Sequence, residues 1–294
     1  MKTGDAVKLT GRTAVITGAN QGLGEAIATE FVKQGAAVFI CARNKEKLLA
    51  VREKLKSLAG DQKTYVMVAD VSVEEDVKKL VDAAIAEFNH VDVFVNNAGV
   101  YGPKGPIERI DVTAWRNAIE TNLFGVFYCC RHAIGHMKKN NYGKIMNLSG
   151  GGATAPLPFI SAYAASKAAI VRLTETLAEE CRGFNIDVNA VAPGALNTKM
   201  LDEVLMAGPE AVGRQYYEKA LTQEKDGGVP LQLPVELCVF LASAESDGIT
   251  GRLISAKWDS WKELPSHRQE LMDSDIYTLR RIVPEDRGKK WDRQ

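Results

Sequence analysis

The sequence lacks the features that would indicate a membrane protein, a secreted protein or a nucleic-acid-binding protein. It contains no uninterrupted apolar stretch of about 18 residues, and its N-terminus has no apolar core of the kind found in secretion signals. Lys plus Arg and Asp plus Glu both total 37, so the formal net charge is zero. Nothing in that balance favours nucleic acid or an anionic membrane as a partner. We therefore expect a cytoplasmic protein whose partners are a small-molecule substrate and other copies of itself.

The cysteines and histidines lack the spacing of a disulfide framework or a metal site. No CxxC motif occurs, and the five cysteines stand in apolar or helical surroundings, which predicts free thiols in a reducing compartment. They are Cys41, Cys129, Cys130, Cys181 and Cys238. His132 and His136 are four residues apart, but no acidic or cysteine partner accompanies them at motif spacing. We therefore predict no metal site.

Short apolar, β-branched runs alternate with helical patterns along most of the 294 residues. The runs are 13–17, 37–42, 64–69, 91–95, 144–148, 187–192 and 251–255. This alternation predicts an α/β fold: a Rossmann-like, doubly wound parallel sheet of about seven strands with helices on both faces. Ligands of such sheets bind at the carboxyl ends of the strands, where Thr17, Arg43, Asp70 and Asn97 fall.

A glycine-rich turn, Gly18-Ala19-Asn20-Gln21-Gly22-Leu23-Gly24, follows the first strand and precedes a helical pattern that reaches Gln34. Strand, glycine turn and helix in this order open a dinucleotide-binding unit, where bare backbone lets a pyrophosphate approach the helix N-terminus. The spacing is Gly-x-x-x-Gly-x-Gly rather than Gly-x-Gly-x-x-Gly. We predict a nucleotide site here that includes Asn20, Gln21 and Leu23.

The end of the second strand favours NADP(H) over NAD(H). An acidic residue there would bind the 2′-hydroxyl of the adenosine ribose and repel a 2′-phosphate, whereas this chain has Ala42 followed by Arg43. A guanidinium pairs well with phosphate. In the alternative interpretation Arg43 is only a solvated residue ahead of the helix 45–58. Asp70 and Val71, at the end of the third run, are expected beside the adenine.

Tyr163 and Lys167 stand four apart in an Ala-rich helical segment and therefore share one helix face. A free tyrosine titrates near pH ~10, and a fixed positive charge beside it favours the phenolate and lowers its pKa. The pair is thus a candidate general acid/base. Asn122 lies inside a long helical pattern over 113–138, where its poor helix propensity predicts an interruption that frees a carbonyl for water. The alternative is an amide that caps a neighbour.

Several motifs occur here in one order and at matching separations. They are Thr17-Gly18-x-x-x-Gly22-x-Gly24, Asp70-Val71, Asn96-Asn97-Ala98-Gly99, Asn122, Tyr163-x-x-x-Lys167 and Pro193-Gly194-x-x-x-Thr198. Together they resemble the short-chain dehydrogenase/reductase family over about residues 8–256. The resemblance implies an enzyme that moves a hydride between NADP(H) or NAD(H) and a small to medium alcohol or ketone.

The same resemblance implies a role for each matching residue. Tyr163 would be the acid/base, Lys167 would hold the nicotinamide ribose and lower the tyrosine pKa, and Asn122 would anchor a relay water. Asn97 and Ala98, next to Gly99, would contact the ribose. The segment from Pro193 through Gly194 and Leu196 to Thr198 would embrace the carboxamide.

The chain departs from the family pattern thirteen residues before the tyrosine, where the expected serine is replaced by Gly150. In a regular strand the neighbouring Ser149 would point away from the site. A bulge at 150–152 would redirect Ser149, or another hydroxyl such as Thr154 would take the role. We list Ser149 as a candidate catalytic residue. The rival hypotheses are a catalytically weak dinucleotide-binding sensor or scaffold, and an enzyme that uses its cofactor in an internal redox step.

The C-terminal part also departs from the family. We expect residues 1–256 to form the dinucleotide-binding domain, with a substrate lid at 199–233, and residues 257–294 to form an extension. Aromatic residues among its many charges suggest docking onto a partner subunit or over the active site; a partly ordered tail is the alternative. By resemblance we expect a homodimer or homotetramer. The lid has no arginine cluster or aromatic cage that would identify the substrate.

Overall fold

A seven-stranded parallel sheet forms the centre of the protein in the computed structural model, which describes residues 7–291. The strands are β1 (Thr13–Thr17), β2 (Ala37–Ala42), β3 (Thr64–Val68), β4 (Val93–Asn96), β5 (Gly143–Leu148), β6 (Ile186–Ala192) and β7 (Leu253–Ser255). Their order across the sheet is β3-β2-β1-β4-β5-β6-β7. The order reverses between β1 and β4, which opens a crevice beyond their carboxyl ends. The predicted Rossmann-like fold is confirmed.

Helices cover both faces of the sheet. They are α1 (Gly22–Lys33), α2 (Lys45–Leu58), α3 (Glu74–Phe88), α4 (Val112–Ile119), α5 (Gly125–Asn140), α6 (Ser161–Glu180), α7 (Lys199–Val212), α8 (Arg214–Asp226), α9 (Gln232–Ala242) and α10 (Arg268–Met272). Side chains alternate along each strand, so Ala14 and Ile16 pack with α1, α2 and α9, while Val15 packs with α3, α5 and α6. Each helix within 7–291 is too short or too polar to span a bilayer.

The helix predicted over 113–138 is divided in two by Asn122. A π-helical turn, Glu120–Phe124, joins α4 to α5. The Asn122 side chain is fully buried and hydrogen-bonds to the backbone of Val100, in the loop after β4, instead of facing solvent. Such π turns are often found at functional sites. The predicted interruption is confirmed.

The predicted lid segment consists of α7 and α8, which pack against each other and form a small apolar cluster of their own. Gly208 breaks α7 with a left-handed φ of 75°, and Gly213, with φ 79°, separates the two helices. Both conformations suit glycine because it has no Cβ. The segment lies over the crevice described below.

The extension packs onto its own chain. Trp261, Leu264 and Leu271 belong to the same core as the sheet. The buried guanidinium of Arg252 donates to the carbonyl oxygens of Leu271, Ser274 (3.0 Å) and Ile276 (2.8 Å). The Leu253 N–H donates to the Tyr277 carbonyl at 2.8 Å, so the extension covers the outer edge of β7. The ends of the two predicted regions, 1–6 and 292–294, lie outside the described residues.

Candidate active site

A cleft of about 1230 Å³ opens at the carboxyl ends of the strands. It is lined by every predicted cofactor residue: Gly18, Asn20, Gln21, Gly22, Leu23, Gly24, Arg43, Asp70, Val71, Asn97, Ala98, Gly99, Tyr163, Lys167, Pro193, Gly194, Leu196 and Thr198. Ser149 also lines it, whereas Asn122 lies buried behind the wall. The extension contributes Trp258, Asp259, Tyr277 and Thr278. Residues far apart in the sequence therefore meet in one crevice.

The glycine turn suits a phosphate group. Gln21 precedes α1 as its N-cap residue, yet no side chain caps the helix, so its first N–H groups remain available. A Cβ on Gly22 would have only Thr198 nearby, at 3.9 Å, which leaves bare backbone facing the cleft. Gly24 is required for packing instead, because a Cβ there would lie 2.6 Å from the Gly18 carbonyl oxygen. Uncapped N–H groups beside bare backbone form an anion site that fits a dinucleotide pyrophosphate.

Asn97 positions the glycine turn. Its amide nitrogen donates to the carbonyl oxygens of Thr17 at 2.9 Å and Gly18 at 3.2 Å. The Thr17 hydroxyl in turn accepts from the backbone N–H of Asn97 at 3.0 Å and of Ala98 at 3.1 Å. The family resemblance implied that Asn97 contacts the ribose. The amide nitrogen holds the end of β1 beside β4 at the cleft floor, and the ribose contact stays a prediction.

Two cations stand at the end of the cleft next to β2. Arg43, two-thirds exposed, lies 3.7 Å from a carboxylate oxygen of Asp70. Lys47, in the first turn of α2, donates to the Gln21 side-chain oxygen at 2.9 Å and lines the same end. Sequence reasoning identified Arg43 but missed Lys47, although its position four residues later was a usable signal. Together they give this end of the cleft a positive charge beside the glycine turn.

Tyr163 and Lys167 lie on one face of α6, and both are buried. The Lys167 ammonium donates to the Leu148 carbonyl oxygen at 2.7 Å and stands 5.4 Å from the centre of the Tyr163 ring. Burial lowers the pKa of Lys167 to about 8. Burial, and after it the nearby phenol of Tyr216, raise the pKa of Tyr163. The sequence predicted a lowered tyrosine pKa, whereas burial shifts it in the opposite direction because it disfavours the charged phenolate.

Asn122 connects the two halves of the site. Its side chain accepts from the Val100 N–H and donates to the Val100 carbonyl, both at 2.8 Å, and donates to the Ser166 hydroxyl at 3.0 Å. A Cβ on Gly99 would lie 3.3 Å from the Asn122 side-chain oxygen and 3.6 Å from the Lys167 nitrogen. Asn122 therefore fixes the loop after β4 against α6, next to the lysine.

The position of the missing family serine is filled by the tyrosine. A Cβ on Gly150 would overlap the Tyr163 hydroxyl oxygen and lie 3.2 Å from the ring carbon that bears it. The Ser149 hydroxyl is buried and, among residues 7–291, has no hydrogen-bond partner. Thr154 is exposed and lines the cleft. The catalytic role suggested for Ser149 thus stays a prediction.

Two further tyrosines lie beside Tyr163, and sequence reasoning missed both. The Tyr101 ring, on the loop after β4, has its centre 4.7 Å from that of Tyr163. Its hydroxyl lies 3.4 Å from the hydroxyl of Tyr216, which belongs to α8. Both line the cleft. Three phenols therefore gather at one end of it.

The chain is similar in sequence and fold to known proteins. A family model described as short chain dehydrogenase matches residues 12–207. The chain is 42% identical over 206 residues to 3beta-hydroxysteroid dehydrogenase 1 of Eggerthella lenta, covering 69% of this chain and 77% of that protein. It is 35% identical over 254 residues to glucose 1-dehydrogenase of Gluconobacter oxydans, covering 84% and 91%. The structure of NAD+-bound xylitol dehydrogenase has a TM-score of 0.77 and 28% identity, over 84% of this chain and 98% of that one.

Proposed function

Because the chain belongs to the short-chain dehydrogenase/reductase family, an NAD(P)-dependent family of oxidoreductases, we propose that it is an alcohol dehydrogenase or carbonyl reductase that prefers NADP(H). The placement of Tyr163 and Lys167 carries this proposal: an ionisable phenol and an ammonium group share a buried wall of the cleft beyond the glycine turn. A small to medium alcohol or ketone is the proposed substrate.

A bound nicotinamide supplies the hydride donor or acceptor. During reduction the Tyr163 phenol donates its proton to the carbonyl oxygen, and during oxidation its phenolate accepts the alcohol proton while a hydride leaves the carbinol carbon. Lys167 offsets the negative charge that the phenolate brings into a buried site. Asn122 holds the loop that faces them.

The test compares the parent with Tyr163→Phe on a panel of steroid, sugar and aliphatic alcohols and ketones, because the named relatives include both a hydroxysteroid and a glucose dehydrogenase. We expect Tyr163→Phe to lower kcat by roughly 10²-fold or more and to leave the dinucleotide affinity unchanged. Tyr217 is a half-buried tyrosine of α8 outside the cleft, and Tyr217→Phe is therefore the matched control. Full turnover by Tyr163→Phe would contradict the proposal.

A sensor or scaffold is the second candidate, favoured by the glycine at position 150. It predicts that the parent binds dinucleotide in a calorimeter but turns over no member of the panel. An internal redox step predicts product formation without a net change in the absorbance of the reduced nicotinamide. Product analysis alongside absorbance separates the three outcomes.

The preference for NADP(H) is supported by Arg43 and Lys47, which place two positive charges at the adenosine end. Each charge-assisted hydrogen bond to a 2′-phosphate contributes about 1.5–3 kcal/mol, or roughly tenfold to a hundredfold in affinity. We expect Lys47→Ala to weaken NADPH binding by about that factor and leave NADH binding unchanged. Lys45→Ala, an exposed residue of α2 outside the cleft, is the control of equal charge. An equal loss for both dinucleotides would contradict the preference.

We also propose a homodimer or homotetramer that associates through an aromatic patch at the start of α5. Phe124 and Phe127 are 39% and 40% exposed, and their rings lie 5.9 and 5.6 Å from that of Tyr128. Exposed contiguous aromatic surface is typical of protein–protein contacts. Light scattering should give a multiple of 32.1 kDa for the parent and a smaller mass for Phe127→Glu. A parent of 32.1 kDa would contradict it.

We place the protein in the cytoplasm on the basis of its thiols: all five cysteines are free and buried. Free cysteines persist in reducing compartments. Cell fractionation would test this assignment.

A further inference from the structure

The proposed reaction needs a second hydrogen-bond donor at the substrate oxygen, and the site lacks the serine that would supply it. An oxygen that gains negative charge in the transition state is stabilised by donors fixed before the reaction begins, and loss of one donor costs on the order of 10²–10³ in rate. Position 150 carries no side chain, and the Tyr163 hydroxyl occupies the space that a Cβ would fill. The donor must therefore come from another residue.

The neighbouring hydroxyls on the same chain segment are poorly placed for this role. Ser149 has a buried hydroxyl with no hydrogen-bond partner among the described residues. Thr154 is exposed, and nothing in 7–291 hydrogen-bonds its side chain into a fixed orientation. A donor that is free to rotate in solvent is not preorganised.

The tyrosine cluster provides an oriented donor instead. Tyr101 packs its ring against Tyr163, with 4.7 Å between the ring centres and a tilt of 59°. Its hydroxyl, 3.4 Å from that of Tyr216, fixes the end of the Tyr216 side chain. Tyr101, Tyr163 and Tyr216 all line the same cleft. One phenol hydroxyl is thus held by another beside the proposed acid/base.

We propose that Tyr216 is a third catalytic residue, whose hydroxyl donates a hydrogen bond to the substrate oxygen in place of the serine missing at position 150, and that Tyr101 positions it. This inference rests on the proposed function. Each phenol has one proton to donate and oxygen lone pairs to accept with. In this proposal Tyr101 is the donor to the Tyr216 oxygen, which leaves the Tyr216 proton for the substrate, while Tyr163 exchanges its own proton with the same substrate oxygen.

The test measures kcat, KM and dinucleotide affinity for Tyr216→Phe, Tyr101→Phe and the double variant, on the best substrate of the panel. We expect Tyr216→Phe to lower kcat about 10²-fold with dinucleotide affinity unchanged. Tyr101→Phe should lower kcat about tenfold in the parent. In the Tyr216→Phe background the same substitution should lower kcat by less than about twofold, because a positioning residue acts only through its partner. Tyr217→Phe, one residue along α8 and outside the cleft, should match the parent.

Each alternative outcome is distinct. If Tyr163→Phe is inactive while Tyr216→Phe keeps the parent rate, the role of Tyr216 is overturned and the proposed function stands. A 10²-fold loss in Thr154→Val or Ser149→Ala, with Tyr216→Phe near the parent, would assign the donor there instead. Additive losses in the double variant would overturn the positioning role of Tyr101. If both Tyr163→Phe and Tyr216→Phe keep the parent rate, the proposed function fails together with this inference.

Discussion

Restoring the family serine with Gly150→Ser is expected to lower activity, although by sequence it repairs the pattern. A Cβ at this position would overlap the Tyr163 hydroxyl oxygen and contact the adjacent ring carbon at 3.2 Å, so the phenol would have to move. Tyr163 is buried and its ring packs against Tyr101, which leaves the displacement little room. A misplacement of about 1 Å at a reacting group costs on the order of 10²-fold in rate. We expect a loss of that size in kcat.

Gly150→Ala separates the effect of the Cβ from that of the added hydroxyl. Both variants carry the Cβ, so they should lose kcat equally if sterics decide the outcome. Gly151→Ala is the control, because its φ is not in the left-handed region and a Cβ there meets no atom within 4 Å. Steady-state kinetics in both directions, with thermal melts to confirm folding, is the assay. A serine variant faster than the parent would refute the steric reasoning and the assignment of the donor to Tyr216.

Three further predictions concern stability, measured as the free energy of unfolding in guanidinium. Burial lowers the pKa of Lys167 from 10.5 to about 8, so the native state loses this proton at lower pH than the unfolded state does. Between pH 8 and 10.5 the free energy of unfolding of the parent should therefore rise by up to about 3 kcal/mol relative to that of Lys167→Met. No change of this difference with pH would contradict the prediction. Asn122→Ala strands the N–H and carbonyl of Val100 and should cost about 2 kcal/mol, and a cost near zero would show that water replaces the amide. Arg252→Met removes the donor to three carbonyls of the extension and should lower the free energy of unfolding by about 3 kcal/mol. Proteolysis after residue 271 should also become faster. Unchanged proteolysis would mean that the apolar contacts alone hold the extension.

The sequence predicted the strands and most helices because their signals are local. The bounds predicted for β2 and for α2, 37–42 and 45–58, are the observed ones. The glycine turn was likewise predictable, since its spacing directly reflects where a backbone must lack side chains. The poor helix propensity of Asn122 was enough to predict a break in the long helix, but not the fully buried hydrogen bonds that the break creates.

The tyrosine cluster had no local signal. Tyr101 and Tyr216 are 115 residues apart in sequence and meet only because α8 folds over the loop after β4. Neither belongs to a motif, and each would be read alone as an ordinary aromatic residue. The hydrogen bonds of the Asn97 amide were not predicted for a related reason: a motif identifies which residue stands at the strand end, whereas the direction of its amide depends on the tertiary position of β1.

Burial also explains why the sign of the Tyr163 pKa shift was mispredicted, and the explanation bears on mechanism. Removal from water disfavours both charged forms, so it raises the pKa of Tyr163 and lowers that of Lys167 to about 8. At neutral pH the free protein therefore holds the proton that carbonyl reduction consumes. Alcohol oxidation instead needs the phenolate, which must be stabilised beyond what Lys167 provides while it donates to the Leu148 carbonyl. The nearby phenol of Tyr216 raises the same pKa, so its proposed role is to hold the substrate oxygen and not to make Tyr163 a base.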